Sequence, residues 1–518
     1  MGALPMKRRD VFKTFGITAF TFSIAGCTEH LFTTTKRTTK KPNIIYIIAD
    51  DLGYGDLGCY GQKIIKTPNL DRMALEGMRF TQHYAGSTVC APSRSVLMTG
   101  LHSGHTFVRG NTVGNGKDMG EYPIPADTYT LAKMLKTAGY KTGCFGKWGL
   151  GYPGSSGDPT HQGFDRFFGY NSQHKAHVYY TDYLWDNNDK VYLKENAKGG
   201  KKIYSHDLIS HRALKFIEHN SDRPFFLYVP FTIPHAELHV PEDSMKPYLN
   251  LKEADPYGDI SKPYESLGYN AQERPHAAFA GMVSRMDSDV GKIFALLKKL
   301  NIDNNTIVMF TSDNGPHQEG GADPAFFNSS GPLKGIKRDL YEGGIRVPMI
   351  ARWPNKITSG TTTDHVSAFW DVMPTCADIA AINAPKEIDG ISFLPTLLGK
   401  GRQKKHKFLY WEFHEAGGKQ AVRIGDYKGI RLNVLEKPDG PIQLFDLNND
   451  LGEQNNIADR HPQIVKKIKA IMKAEHTPSK VYPLESLDNL GSLNQKNRNG
   501  SKTHLPYCKA HLTYCKAP

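Results

Sequence analysis

Three stretches of this chain are apolar along their whole length: NIIYIIA at residues 43–49, PFFLYVPF at 224–231 and TIVMFT at 306–311. A strand with one wet face alternates apolar and polar residues; an unbroken apolar strand is buried on both faces. Such strands occur in sheets covered on both sides by helices. Helical patterns lie between them. Residues 128–138 space Leu131, Met134 and Leu135 for one helix face, and residues 277–300 carry Val283, Met286, Val290, Ile293, Phe294 and Leu297 as one stripe. A short strand is expected at 142–146. The alternation predicts an α/β fold with a mostly parallel central sheet flanked by helices. Past Pro395 short segments at 408–413, 421–425, 428–433 and 442–447 alternate in polarity, with turns between them. They predict a smaller antiparallel sheet, closed by a helix at 462–473. The expected divisions are a main α/β domain at 42–394, a C-terminal small-sheet subdomain at 395–477 and a polar tail at 478–518. A chain of 518 residues is long enough for both bodies.

The first 27 residues are expected to be an export signal and not part of the fold. Arg8-Arg9 stand before Val11, Phe12 and Lys13, a run that resembles a twin-arginine signal. The apolar stretch 15–25 is too short to span a bilayer. It ends in Ile24-Ala25-Gly26-Cys27, which resembles a bacterial lipobox. Cys27 is then the lipid-anchored first residue of an exported periplasmic or cell-surface lipoprotein, and residues 28–41 are its tether. Seven cysteines without regular spacing do not describe a disulfide scaffold. Cys508 and Cys515 sit in a near-repeat and can pair in an oxidising compartment. A net charge of +13 attracts polyanions. Those are nucleic acids or sulfated glycans, but the charge also serves solubility, since residues 1–41 and 478–518 are rich in Lys and Arg and poor in acids; no nucleic-acid-binding motif is present, so nucleic acid is not expected.

Chemistry-bearing residues gather where the strands end. The first strand runs into Asp50-Asp51, and the strand at 306 runs into Asp313-Asn314-Gly315. Either motif alone is also a plain turn. Together, at the carboxyl ends of two strands, they favour a metal site, because adjacent carboxylates repel unless a cation neutralises them. Oxygen ligands select Ca²⁺, with Mg²⁺ also possible. Cys90 precedes Pro92, a favourable residue at a helix start, and Gly100 is a natural stop. From these residues alone Cys90 reads as an activated thiol beside Arg94, or as a buried structural cysteine.

Cys90-Ala91-Pro92-Ser93-Arg94, continuing to Met98-Thr99-Gly100, resembles the signature of the formylglycine-dependent sulfatases, in the alkaline-phosphatase superfamily. Other landmarks follow in order: Asp50-Asp51, Lys147 in Gly146-Lys147-Trp148, His235 after Ile233-Pro234, Asp313-Asn314, and Lys337 ahead of Tyr341-Glu342-Gly343-Gly344. The resemblance spans about residues 42–475. It implies that a separate maturation enzyme oxidises Cys90 to 3-oxoalanine (formylglycine), whose hydrate attacks sulfur and then expels sulfate. It implies metal ligation by Asp50, Asp51, Asp313, Asn314 and the modified Cys90, with Lys147 and Lys337 neutralising the sulfate, Arg94 supporting the nucleophile and the metal-bound oxygens, and His235 as general acid. One position departs: the family commonly has His two residues after its first lysine, and here Gly149 stands. His161, His174 or His177 can substitute, the subgroup can dispense with the group, or the enzyme is weakened. Residues 173–185 combine His174 and His177 with Tyr179, Tyr180, Tyr183 and Trp185, a composition suited to a sugar ring or to a packed loop. The expected activity is sulfate release from a sulfated polysaccharide or oligosaccharide. The alternatives are a phosphomonoesterase or phosphodiesterase of the same superfamily and a non-catalytic glycan-binding lipoprotein.

Overall fold

The computed structural model describes residues 41–111, 120–262, 264 and 269–488. The export signal, the lipobox at Cys27, nearly all of the tether and the Cys508/Cys515 pair lie outside the described residues. No helix among the described residues is long and apolar enough to cross a membrane.

The large sheet contains β1 (Asn43–Ala49), β2 (Met78–Tyr84), β3 (Lys141–Lys147), β4 (Arg166–Tyr170), β5 (Tyr183–Asp186), β6 (Asp189–Tyr192), β7 (Phe225–Pro230), β8 (Thr306–Ser312), β9 (Arg346–Arg352), β10 (Thr361–Thr363) and β11 (Ser367–Ala368). Its order is β10-β2-β9-β8-β1-β7-β3-β4-β5-β6, with β11 beside β2. The central pairings β3/β7, β7/β1 and β1/β8 are parallel. The antiparallel pairings are at β8/β9, β2/β9, β4/β5 and β5/β6. The sheet is therefore mixed but mostly parallel. Every residue of the three fully apolar strands is buried, as two-sided coverage requires. Helix Pro275–Lys299 lays its expected stripe on one face. Helices Cys90–Thr99 and Leu131–Thr137 cover the other. The β2 and β5–β6 segments have no unbroken apolar run, and the apolar run of β9 at 347–351 is not among the expected strands.

A second sheet, β12 (Leu409–Phe413), β13 (Lys419–Ile424), β14 (Tyr427–Leu432) and β15 (Ile442–Asp446), is antiparallel in sequence order. Helix Pro462–Ala474 packs Ile468 and Met472 on it. Its other face joins the main core through Trp411, Phe413, Ala421, Ile430 and Phe445. Buried charge ties the two sheets as well. Lys428 of β14 pairs with Glu342 at 2.9 Å and Glu453 at 3.1 Å, all within the interior. Glu342 also accepts from Tyr84 at 2.7 Å and faces Arg346 at 3.2 Å. The beginning of the expected tail folds back: Tyr482 and Leu484 are buried, and Thr477 accepts hydrogen bonds from Arg109.

Candidate active site

Four adjacent parallel strands, β3, β7, β1 and β8, deliver polar residues to one edge of the sheet. Lys147 is the last residue of β3, His235 follows β7, Asp50-Asp51 follow β1, and Asp313-Asn314 follow β8. The register pairs Ala49 with Ser312, so the two acidic motifs leave the sheet side by side. This is the edge where open α/β sheets collect ligands. Asp51 bends the chain there with φ 64° and donates its N–H to Asp313 Oδ1 at 3.1 Å.

Cys90 is the first residue of its helix, and the helix stops at Gly100, whose left-handed φ of 70° lets its N–H reach Val96. Cys90 is 2% exposed. The expectation of an activated thiol does not hold: burial pushes the thiol well above its ordinary value, and Asp50 adds to this. Arg94 does not turn toward the sulfur. It donates to Asp313 Oδ2 through Nε at 3.1 Å and Nη2 at 2.7 Å, reaches Lys147 O, and stands 3.6 Å from Asp50. Lys147 Nζ donates to Asp50 Oδ2 at 2.7 Å, and Lys337 Nζ to Asp51 Oδ2 at 2.7 Å. Three cations thus face three buried carboxylates. Burial would raise the Asp50 carboxyl, but Lys147, His235, Arg94 and Lys337 outweigh it and hold it well below the carboxylate range. Burial, and then the charge of Asp50 beside it, pushes the Asp313 carboxyl up to about 7.

Burial, then Lys337 and Lys147, hold the His235 imidazole well below the ordinary value, against the pull of Asp50. Its Nδ1 meets the carbonyl of Ala236, and its Nε2 stands 3.1 Å from Lys337 Nζ and 3.3 Å from Asp51 Oδ2. The expected general acid thus lies among the site's charges, in contact with Lys337.

The site fits a hard divalent cation. Ligand atoms of Asp50, Asp51, Cys90 and His235 lie within 4.8 Å of one another. Asp50 Oδ1 and Asn314 Oδ1 are buried without a hydrogen-bond partner. Asn314 turns its Nδ2 away, to Asp51 Oδ1 at 2.7 Å, and so leaves Oδ1 bare. Buried oxygens without a partner are costly unless something occupies them.

Gly149 has φ +77°, and a Cβ built there would lie 1.9 Å from Gln173 Nε2. The Gln173 carboxamide thus fills the space a side chain at 149 would need. Gln173 and Glu121 are both buried beside it, joined by Gln173 N–H to Glu121 Oε1 at 3.1 Å. Of the candidate substitutes, His161 is exposed and bound to Ser155 O at 2.9 Å, away from this group. His174 and His177 are half-buried, and the His177 ring stacks on His235 at 4.7 Å. Tyr179, Tyr183 and Trp185 are buried in the packed interior, as the packed-loop reading of 173–185 has it. A Gly149→His variant is expected to lose about 1–3 kcal/mol of stability and to gain no activity. Thermal melting beside a sulfate-release assay checks this; a stable, faster enzyme would refute the steric account.

Sequence reasoning missed Glu319, which lies 3.2 Å from His317 and 3.8 Å from Lys337, and also Gln173 and Glu121. All three sit in loops where no local pattern marks them.

Carboxylates, ammonium groups and a histidine converge on one side chain at a helix start, at a parallel sheet edge, an arrangement consistent with a metal-assisted ester hydrolase. The Sulfatase family model matches residues 42–382, and the model described as N-sulphoglucosamine sulphohydrolase, C-terminal, matches 336–478. The chain belongs to the formylglycine-dependent sulfatase family and is a sulfatase-type hydrolase. The N-acetylgalactosamine-6-sulfatase of Canis lupus familiaris is 32% identical over 506 residues, covering 90% of this chain and 87% of its own length. Among solved structures, Ps i-CgsB in complex with k-i-k-neocarrahexaose superposes with a TM-score of 0.73 at 28% identity, covering 88% of this chain and 99% of that one. A sulfatase structure from work on the metabolism of multiple glycosaminoglycans by Bacteroides thetaiotaomicron gives 0.68 at 27% identity, covering 84% and 99%.

Proposed function

We propose that this protein removes sulfate from a sulfated oligosaccharide or polysaccharide, using formylglycine made from Cys90 by a maturation enzyme and a Ca²⁺ ion. The observation that carries this reading is the gathering of Asp50, Asp51, Cys90 and His235 ligand atoms within 4.8 Å of one another, with Asp50 Oδ1 and Asn314 Oδ1 buried without a hydrogen-bond partner. Asp50, Asp51, Asp313 and Asn314 would hold the ion, which, when bound, polarises the ester's free oxygens. Formylglycine supplies, as its hydrate, a hydroxyl nucleophile that a buried thiol cannot.

The chain's own groups do the rest. Arg94 braces Asp313 and Asp50 and fixes the metal carboxylates. Lys147 and Lys337 bring positive charge to the sulfate oxygens from opposite sides, already oriented by their aspartates. Preorganised charge of this kind is the largest catalytic contribution in most enzymes. The sugar alkoxide is a poor leaving group and needs a proton. We assign its delivery to the Lys337–His235 pair, in which Lys337 holds the proton and His235 orients it. His174 and His177 face the sugar.

The carbohydrate substrate is supported by likeness to N-acetylgalactosamine-6-sulfatase and to a structure holding a neocarrahexaose. Residues 42–394 form the catalytic domain and 395–477 the small-sheet subdomain in this reading. Residues 1–27, with Cys27, place the enzyme at the periplasm or cell surface on a lipid anchor.

A sulfate-release screen over galactose and N-acetylgalactosamine monosulfates, run beside the matching phosphates, tests the reaction and the substrate together. Faster phosphate than sulfate release overturns it. Chelation tests the ion: dialysis against EDTA is expected to abolish turnover and lower the melting temperature. Ca²⁺ should restore both, since a ligand that binds only the folded state at 100 times its Kd adds about 2.7 kcal/mol. Full activity in protein shown by elemental analysis to be metal-free sinks the metal assignment.

A further inference from the structure

The site has a leaving-group side, marked by His235 and Lys337, and its wall is aromatic. The His177 ring lies parallel to His235, with centroids 4.7 Å apart and an interplanar angle of 7°. Tyr269 lies across His177 at 5.0 Å and 48°, and 6.2 Å from His235. His174 continues the row 5.6 Å beyond His177. His235 is buried, whereas His174, His177 and Tyr269 are half-buried, so the row is partly accessible next to the reacting centre.

Two distant segments build this wall, and one buried carboxylate holds them together. Glu237, two residues after His235, is fully buried. Its N–H donates to His177 O at 3.1 Å, and its Oε1 accepts from Tyr179 N at 3.2 Å. The same carboxylate accepts from Asn270 N at 3.3 Å, from the Asn270 amide and from the Tyr264 hydroxyl. The residues on either side of the aromatic pair are thus clamped to the backbone that carries His235. A wall fixed this way is preorganised, and a ligand that binds it loses little to ordering.

Resting on the sulfatase reading, we propose that Tyr269 is a specificity-determining residue: with His177 it forms the platform for the pyranose ring whose oxygen leaves as sulfate is removed. An aromatic face suits the C–H face of a sugar, and the phenol can both donate to and accept from a ring hydroxyl. Glu237 is a positioning residue that acts through the two segments it joins.

The test is equilibrium binding in a Cys90→Ala background, by calorimetry, of a panel of galactose and N-acetylgalactosamine monosulfates, paired with kcat and KM of the matured enzyme. Tyr269→Ala is expected to weaken binding of the best panel member and to raise KM about tenfold, with kcat changed less than about threefold. Tyr269→Phe keeps the ring and should retain most of that affinity. The inference is overturned if Tyr269→Ala binds as tightly as the parent, or if kcat and the melting temperature fall while KM and affinity stay fixed. Binding that depends on Tyr269 in an enzyme that releases no sulfate supports the platform and sinks the sulfatase reading. A panel of which no member binds overturns both.

Discussion

Replacing Cys90 by alanine is expected to reduce sulfate release at least about 10⁴-fold while leaving the protein folded. Removal of a covalent nucleophile costs that much because no neighbouring group can take its place. The surroundings of Cys90 hold carboxylates, ammonium groups and an imidazole, and the carboxylates are already tied to cations. Alanine is smaller and apolar, and the helix start tolerates it. The measurements are sulfate release, the melting temperature, and mass spectrometry of the peptide that contains residue 90. In wild-type protein from a host with the maturation enzyme, that peptide should carry an aldehyde. An unmodified thiol in an enzyme that turns over would falsify the mechanism. The buried, strongly disfavoured thiolate makes that outcome chemically unfavourable.

Lys337→Ala is the second large effect, an expected fall of about 10²–10³-fold in kcat/KM. Lys337 touches Asp51 at 2.7 Å and His235 Nε2 at 3.1 Å, and stands 3.8 Å from Glu319. Its removal takes charge from the sulfate site, strips the proton-bearing partner from His235, and leaves Asp51 short of a cation. Truncating one member of a buried pair also costs stability, about 3–5 kcal/mol, so the melting temperature should fall as well. Lys337→Arg is not expected to rescue activity, because a planar fork cannot meet Asp51 and His235 from the point an ammonium occupies. A Lys337→Ala enzyme within threefold of wild type overturns the shared role given to this lysine and His235.

The fold was legible where physics acts locally. Unbroken apolar runs identify two-sided strands, and the stripe from Val283 to Leu297 identifies the long helix, because burial pattern follows directly from side-chain period. The strands β2, β5 and β6 lack that pattern. They lie toward the outer parts of the sheet, where not every residue is buried and tertiary packing decides. Much of the site was legible for a related reason. Asp50-Asp51, Lys147, His235 and Asp313-Asn314 each follow a strand of the central four, so chain order predicts their convergence.

Residue types and their order along the chain are enough to show a mostly parallel α/β sheet, an oxygen-rich cation site at its edge and the family to which Cys90-Ala91-Pro92-Ser93-Arg94 belongs. They do not show which charge faces which. Arg94 pairs with Asp313 rather than serving the thiol, His235 meets Lys337 and Asp51, and Gln173 fills the space beside Gly149. Burial, Coulomb interaction and steric exclusion act between residues far apart in sequence, and their sign depends on distances that exist only after the chain has closed on itself.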